Sequence, residues 1–172
     1  MAQLKINSVT LDTNVFPAEG LINRAKRAGM IVGVISVSRR EVEGSSLEDE
    51  VGALECTLET AVWGESRWGH ALWGGSGDNE RLENMLALVS NGSFPPRGQR
   101  ENLSNGQRRQ LRDAMILFAH IREGRDLLVT NDKAAFIVDS RRAAIETAYK
   151  IKIMTANEFE TYLDNLERDT TV

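Results

Sequence analysis

Asp12, Glu41, Asp113 and Asp132 are the residues of this sequence whose type and placement suggest chemistry. None of them belongs to a set with histidine or cysteine. Four carboxylates brought together repel one another unless protons or a cation neutralise them. An all-oxygen donor set selects a hard divalent ion, Mg²⁺ or Mn²⁺. Such a site activates water, holds phosphate oxygens and stabilises charge on the leaving oxygen of a phosphodiester. The chemistry expected is hydrolytic phosphoryl transfer. Taken singly, each acid has an ordinary structural explanation. Asp12 can be a turn or N-cap residue, Glu41 the acid of a capping box, Asp113 a partner of Arg109 or Arg112, and Asp132 an Asx turn. Taken together the acids outweigh those explanations, because caps need not be acids and Asp113 beside an apolar run is costly unless compensated.

The elements that must position these residues follow from periodicity. A strand is expected over 4–11, ending at LDTN, and Phe16-Pro17-Ala18 then opens a helix that Gly29 stops. MIVGVISV, over 30–37, is almost continuously apolar and β-branched, as in a parallel strand covered on both faces. Ser38 and Glu41 have capping-box spacing, which puts Glu41 in the first turn of a helix. Leu47, Val51, Leu54 and Leu58 recur at helical intervals, so 46–62 is expected to be an acidic amphipathic helix. A glycine-punctuated loop follows, then a helix near 79–89 and a loop over 91–100 around Pro95-Pro96. Ser104 and Gln107 form a second capping box. It opens a helix that ends at Gly124 and is apolar nearly all round over 114–121, with Asp113 at the head of that buried run. Strands are expected over 126–130 and 151–155 and a helix over 140–150, with Thr155 and Glu158 capping a last helix. The fold class expected is α/β with a central, mainly parallel sheet. It forms one domain over 1–172, with a helical and loop insertion at about 45–103. In such a sheet, ligand sites lie outside the carboxyl ends of the strands. Asp12, Glu41 and Asp132 fall there, and the central helix can present Asp113.

LDTNVF at the first strand, SRREVEG after the second, RDAMILFAHI on the central helix and LLVTNDKAAF at the third strand together resemble the PIN-domain nucleases. That family carries an Asp in LDTN, a Glu in a T/S-x-x-E turn, an Asp heading a D-A-x-I-x-A helix and an Asp in V-T-x-D-x-x-F. These positions match Asp12, Glu41, Asp113 and Asp132, and the resemblance covers residues 4–44 and 104–165. It implies a three-layer α/β/α PIN-like fold and an Mg²⁺- or Mn²⁺-dependent endoribonuclease, with the four acids as catalytic and metal-holding residues around an activated water. It is similar to the ribonuclease toxins of toxin–antitoxin pairs, whose middle segment is shorter and lacks the Trp-Gly repeat found here. Glu43 is an alternative to Glu41, but two residues along a helix is about 200°, so only one of them can face the site. Asn14 and Thr130 are expected to orient the carboxylates from behind, with Asn14 equally readable as a turn residue.

Charge and composition bound the partners. The chain has 172 residues, 41% of them hydrophobic, and a net charge of −4, which excludes coating of nucleic acid by bulk positive charge. The distribution is uneven. Residues 43–83 hold ten acids against two arginines, whereas residues 97–125 hold seven arginines against three acids. Arg39 and Arg40 beside Glu41, and Arg108, Arg109 and Arg112 beside Asp113, are candidate contacts for RNA phosphates; a solvated helix face accounts for them equally well. Trp63, Trp68 and Trp73 can stack bases, but more often such residues pin an insertion to the core or fill a partner's groove, as with an antitoxin helix. Cys56 is the one cysteine, which excludes an internal disulfide. With no apolar stretch near the roughly 20 residues that span a bilayer, a cytoplasmic protein without membrane association is expected. The tryptophan surface favours a homodimer. A non-catalytic PIN-like module that binds RNA or protein is the competing function. A haloacid dehalogenase-type phosphatase needs a second Asp where Asn14 stands.

Overall fold

A computed structural model describes residues 5–169. Its strands are short and apolar on both faces, so they need cover from two sides. β1 (Ser8–Leu11), β2 (Ile31–Ile35), β3 (Glu55–Thr57), β6 (Leu127–Val129) and β7 (Lys152–Met154) form one sheet in the order β3-β2-β1-β6-β7. Every neighbouring pair in it is parallel. α1 (Glu19–Arg27), α3 (Glu48–Gly52) and α7 (Ala156–Asp169) cover one face, where Ile22, Val51, Phe159 and Leu163 pack against Val9, Leu11, Val32 and Val129. α4 (Asp78–Val89), α5 (Asn105–Arg122) and α6 (Asp139–Tyr149) cover the other with Met85, Leu86, Met115, Phe118 and Ile145. The result is a three-layer α/β/α fold. Among the described residues, no helix is long and apolar enough to cross a membrane.

α5 is the axis of the second layer. Both bonds of its capping box are made, Gln107 N–H to Ser104 Oγ at 3.2 Å and Ser104 N–H to Gln107 Oε1 at 2.8 Å. Every residue from Ala114 to His120 is buried, so the apolar run that reads as a central helix is one. His120 donates or accepts at Nδ1 with Thr10 Oγ1, 2.8 Å away, and burial pushes its pKa down to about 3.

Three elements differ from expectation. The described part of the first strand is Ser8–Leu11, and Leu4 lies outside the described residues. α2 (Ser36–Val42) begins two residues before the expected cap. Its start is fixed by Ser36, whose hydroxyl accepts from Glu59 N–H at 2.9 Å and donates to Glu59 Oε2 at 2.5 Å. Ser38 is therefore buried inside the helix rather than capping it, and Glu41 falls in the last turn instead of the first. The third correction is the helix expected over 46–62. Only Glu48–Gly52 is helical, and the chain then becomes β3, followed by β4 (Glu59–Thr60), which pairs in parallel with β5 (Ala71–Leu72) as a separate small sheet. The apolar positions Val51 and Leu54 are buried as the helical spacing requires, but Leu54 is buried from the bend between α3 and β3. Pairing 55–57 with β2 satisfies backbone groups along an edge that would otherwise be bare. The sheet has five strands rather than four.

Gly33, in the middle of β2, makes room for an unusual brace. A Cβ there would lie 2.8 Å from the Glu55 carbonyl and 2.9 Å from both terminal nitrogens of Arg125. The buried Arg125 guanidinium crosses this gap to reach Glu55 Oε1 at 2.8 Å and Thr57 Oγ1 at 3.1 Å. A glycine inside a strand often marks such a close approach.

Candidate metal centre

Chain order in the sheet reverses at β1. From β1 the crossovers first run outward to β2 and β3, and the chain later returns to add β6 and β7 on the other side. The crevice at such a switch opens beyond the carboxyl ends of the two central strands. Asp12 follows β1 and Thr130 follows β6, so both stand in that crevice.

Asp12 is buried and well supplied with donors. It accepts from Thr13 N–H at 2.7 Å, Thr130 Oγ1 at 2.7 Å and Asn14 Nδ2 at 2.8 Å. The first of these bonds caps a single 3-10 turn over Thr13–Val15, so the turn-residue reading of Asp12 also holds locally. Burial raises its pKa to about 6 against the pull of the Thr130 bond, with Glu41 and Asp132 adding repulsion. Asn14 is held in turn: its Oδ1 accepts from Asn131 N–H at 2.8 Å, and Asn131 Oδ1 accepts from Ala156 N–H at 3.0 Å. Asn14 and Thr130 thus orient the Asp12 carboxylate directly.

Glu41 reaches the crevice from the last turn of α2, where its carboxylate accepts the Thr13 hydroxyl and lies 3.9 Å from Arg112. Glu43 points elsewhere, paired with Arg67 at 2.6 Å. Asp132 accepts from Ala135 N–H at 2.8 Å and so caps the π turn Lys133–Ile137. Asp113 heads the buried stretch of α5. Burial is the first cause of its high pKa, about 8, followed by repulsion from Asp12, Asp132 and Glu41, while Arg109 acts the other way. Asp113 therefore feels the other three acids, and Asp12 feels Glu41 and Asp132. Among the described residues, Asp113 is the one of the four whose carboxylate accepts no hydrogen bond.

The donor set fits a hard cation in chemistry: four carboxylates, no sulfur, no imidazole, and one acid raised to about 8 by burial and by the repulsion of the other three. Among the described residues, however, no three His, Cys, Asp or Glu side chains stand close enough to surround one ion as they are. Asp12, Glu41 and Asp132 are each drawn to a separate donor, and closing on an ion requires side-chain adjustment.

The arginines divide. Arg39 donates to the Gly52 and Leu54 carbonyls, bracing the turn before β3. Arg40 pairs with Glu59, whose side chain is 0% exposed, while also lining the cleft beside Glu41. Arg108 and Arg112 both engage Glu65, at 2.6 and 3.4 Å. Arg109 is exposed next to Asp113. Sequence spacing gave no sign of Glu65 or Thr13 as organisers of this cleft, because each acts on partners at least 28 positions away. The tryptophans do not pin the insertion to the core: Trp63, Trp68 and Trp73 are 97%, 82% and 79% exposed. His70 is exposed, and Cys56 is half-buried on β3 rather than on a helix. Compared with known proteins, the chain matches no family model and no curated sequence.

Proposed function

We propose that the protein is a divalent-metal-dependent endoribonuclease, acting on RNA phosphodiesters in the manner the resemblance to PIN-domain nucleases implies. The observation that carries this reading is the convergence of Asp12, Glu41, Asp113 and Asp132 on one crevice at the switch point, where, among the described residues, the Asp113 carboxylate accepts no hydrogen bond. These four residues would hold Mg²⁺ or Mn²⁺. When bound, the ion lowers the pKa of water and neutralises charge on a phosphate. The protein's own groups do the rest. Thr130 and Asn14 keep the Asp12 carboxylate aimed into the crevice. Thr13 does the same for Glu41. Asp113, inclined to hold a proton at neutrality, becomes anionic when positive charge enters, and Asp12, raised less, loses its proton more readily still. Arg109, Arg112 and Arg108 stand on the α5 face beside Asp113, where they suit the phosphates of an RNA strand. The resemblance extends the proposal to a cytoplasmic toxin held in check by an antitoxin; loss of cleavage on adding the product of a neighbouring gene tests that role.

A second reading, a non-catalytic module that binds RNA or protein, is favoured by one observation: among the described residues no three acids close around a single ion position. Cleavage of labelled RNA in Mg²⁺, Mn²⁺ and EDTA separates the two. Metal-dependent cleavage that Asp12→Asn or Asp113→Asn abolishes supports the nuclease. Binding without turnover in any of these conditions supports the module.

A further inference from the structure

The stretch 61–74 joins β4 to α4 and carries all three tryptophans on the solvent side. It is a fastened strap. Ala61 N–H donates to the Leu72 carbonyl at 2.7 Å, and Val62 N–H donates to Ser66 Oγ at 2.9 Å. Glu65, with a side chain 5% exposed, ties the strap to α5 through Arg108 and Arg112. Arg67 ties it to Glu43. Gly64 and Gly69 take φ of 82° and 78°, so Trp63 and Trp68 stand at turn corners. Trp68 and Trp73 meet edge to face, 5.6 Å between ring centroids and 69° between planes. Burying an indole is strongly favourable, so three fixed and exposed ones call for a ligand.

Their surroundings say which kind. The hollow among the indoles includes Gly64 and Arg67, and both also line the cleft that holds Glu41, Arg108 and Arg112. One continuous path therefore leads from Glu41, past guanidinium groups, to flat aromatic faces. An apolar helix of a partner protein would need a groove with anchor sites at helical spacing. Here one ring stands alone and two meet edge to face, each followed by glycine, with Ala61, Val62 and Ala71 as the aliphatic company in the hollow. Guanidinium groups beside exposed ring faces suit a polyanion that carries planar groups.

We infer that the strap is a base-stacking subsite: unpaired bases of an RNA strand lie on Trp63 and on the Trp68–Trp73 pair while its phosphates pass Arg67, Arg108 and Arg112. This rests on the ribonuclease reading of the carboxylate crevice. The subsite grips substrate and takes no part in bond cleavage.

The test uses 12-nucleotide oligouridine, oligoadenosine and an RNA hairpin of the same length, added to the full chain in EDTA at low salt so that nothing is cleaved. Tryptophan emission and the anisotropy of labelled RNA are recorded. Single strands should quench the indole emission. Trp63→Ala and the Trp68→Ala/Trp73→Ala pair should each weaken single-strand binding by about tenfold, with Phe replacements keeping most of it. Hairpin binding should not change. In Mg²⁺ or Mn²⁺ the same variants should raise KM and leave kcat near wild type. The exposed positions make loss of folding a minor risk, and thermal melts check it. Wild-type affinity for single strands in the alanine variants overturns the subsite while leaving the nuclease standing. So does quenching by an amphipathic helical peptide but not by RNA. A wild type that neither binds nor cuts RNA in any divalent ion defeats the ribonuclease reading and the subsite with it.

Discussion

Replacing Asp113 by asparagine should make the metal-free protein more stable while abolishing the proposed RNA cleavage. The folded-state pKa of Asp113 is raised from 3.8 to about 8, chiefly by burial and then by three neighbouring carboxylates. A group with a raised folded pKa contributes full stability below its unfolded pKa and loses it as pH rises through the folded one. Here the loss runs from about pH 4 to about pH 8. At pH 7 the wild type has lost roughly three units at 1.36 kcal/mol each, a ceiling of about 4 kcal/mol. Solvent reaches one side of this half-buried carboxylate and screens it, so a gain of about 2 kcal/mol is the working figure for Asp113→Asn. That corresponds to a rise in Tm of roughly 4–8 °C for a chain of this size. The gain should shrink to nothing by pH 4, where aspartic acid and asparagine are alike in charge. His120 acts with the opposite sign below pH 6.5, since the unfolded chain takes a proton that the buried ring refuses down to about pH 3. It does so equally in both proteins and cancels in the comparison. The assay is thermal unfolding of both proteins in EDTA from pH 4 to pH 8, repeated with Mg²⁺ and Mn²⁺. The ions should raise the Tm of the wild type and barely move the variant. A variant less stable than wild type at pH 8, or a difference that does not depend on pH, would refute the electrostatic account of the crevice.

Thr130→Val removes the hydrogen bond that lowers the Asp12 pKa, so the acid limb of the rate–pH profile should move to higher pH. An unmoved limb would mean that Asp12 does not set it. Arg40→Met strands the buried Glu59 without its cation, and equilibrium unfolding should show a loss of about 3 kcal/mol. Adding Glu59→Gln should recover much of that loss. Gly33→Ala forces a methyl into the space shared by the Glu55 carbonyl and Arg125, and denaturant titration should register a loss of roughly 2 kcal/mol.

The parts of the fold that local chemistry decides could be read from the sequence. Ser104 and Gln107 cap α5 through atoms three residues apart, and Gly29 ends α1 with φ of 82°. The acids were legible for a related reason: Asp12 directly follows β1 and Asp132 lies three residues past β6, strands whose apolar runs announce them. β3 was not legible. Val51 and Leu54 satisfy a helical period, and what makes 55–57 a strand is the open edge of β2 together with Arg125, some 70 positions away. The start of α2 escaped for the same reason, since Ser36 takes its partner from Glu59. Nor does spacing reveal that Arg39 serves backbone carbonyls while Arg108 and Arg112 share Glu65. Those choices are made between elements, and no window along the chain contains both sides.

Arg125 has a consequence beyond its hydrogen bonds. It fixes the edge strand from the middle of the sheet, just as the capping box fixes the start of α5. Glu59 and α4 belong to the frame, but the strap over 61–74 between them pairs with no strand of the five-stranded sheet. Mechanically it is a replaceable fitting on a rigid frame. Straps of other lengths and other aromatic content can be exchanged there, and what the crevice is offered can be re-tailored without asking the sheet to fold differently.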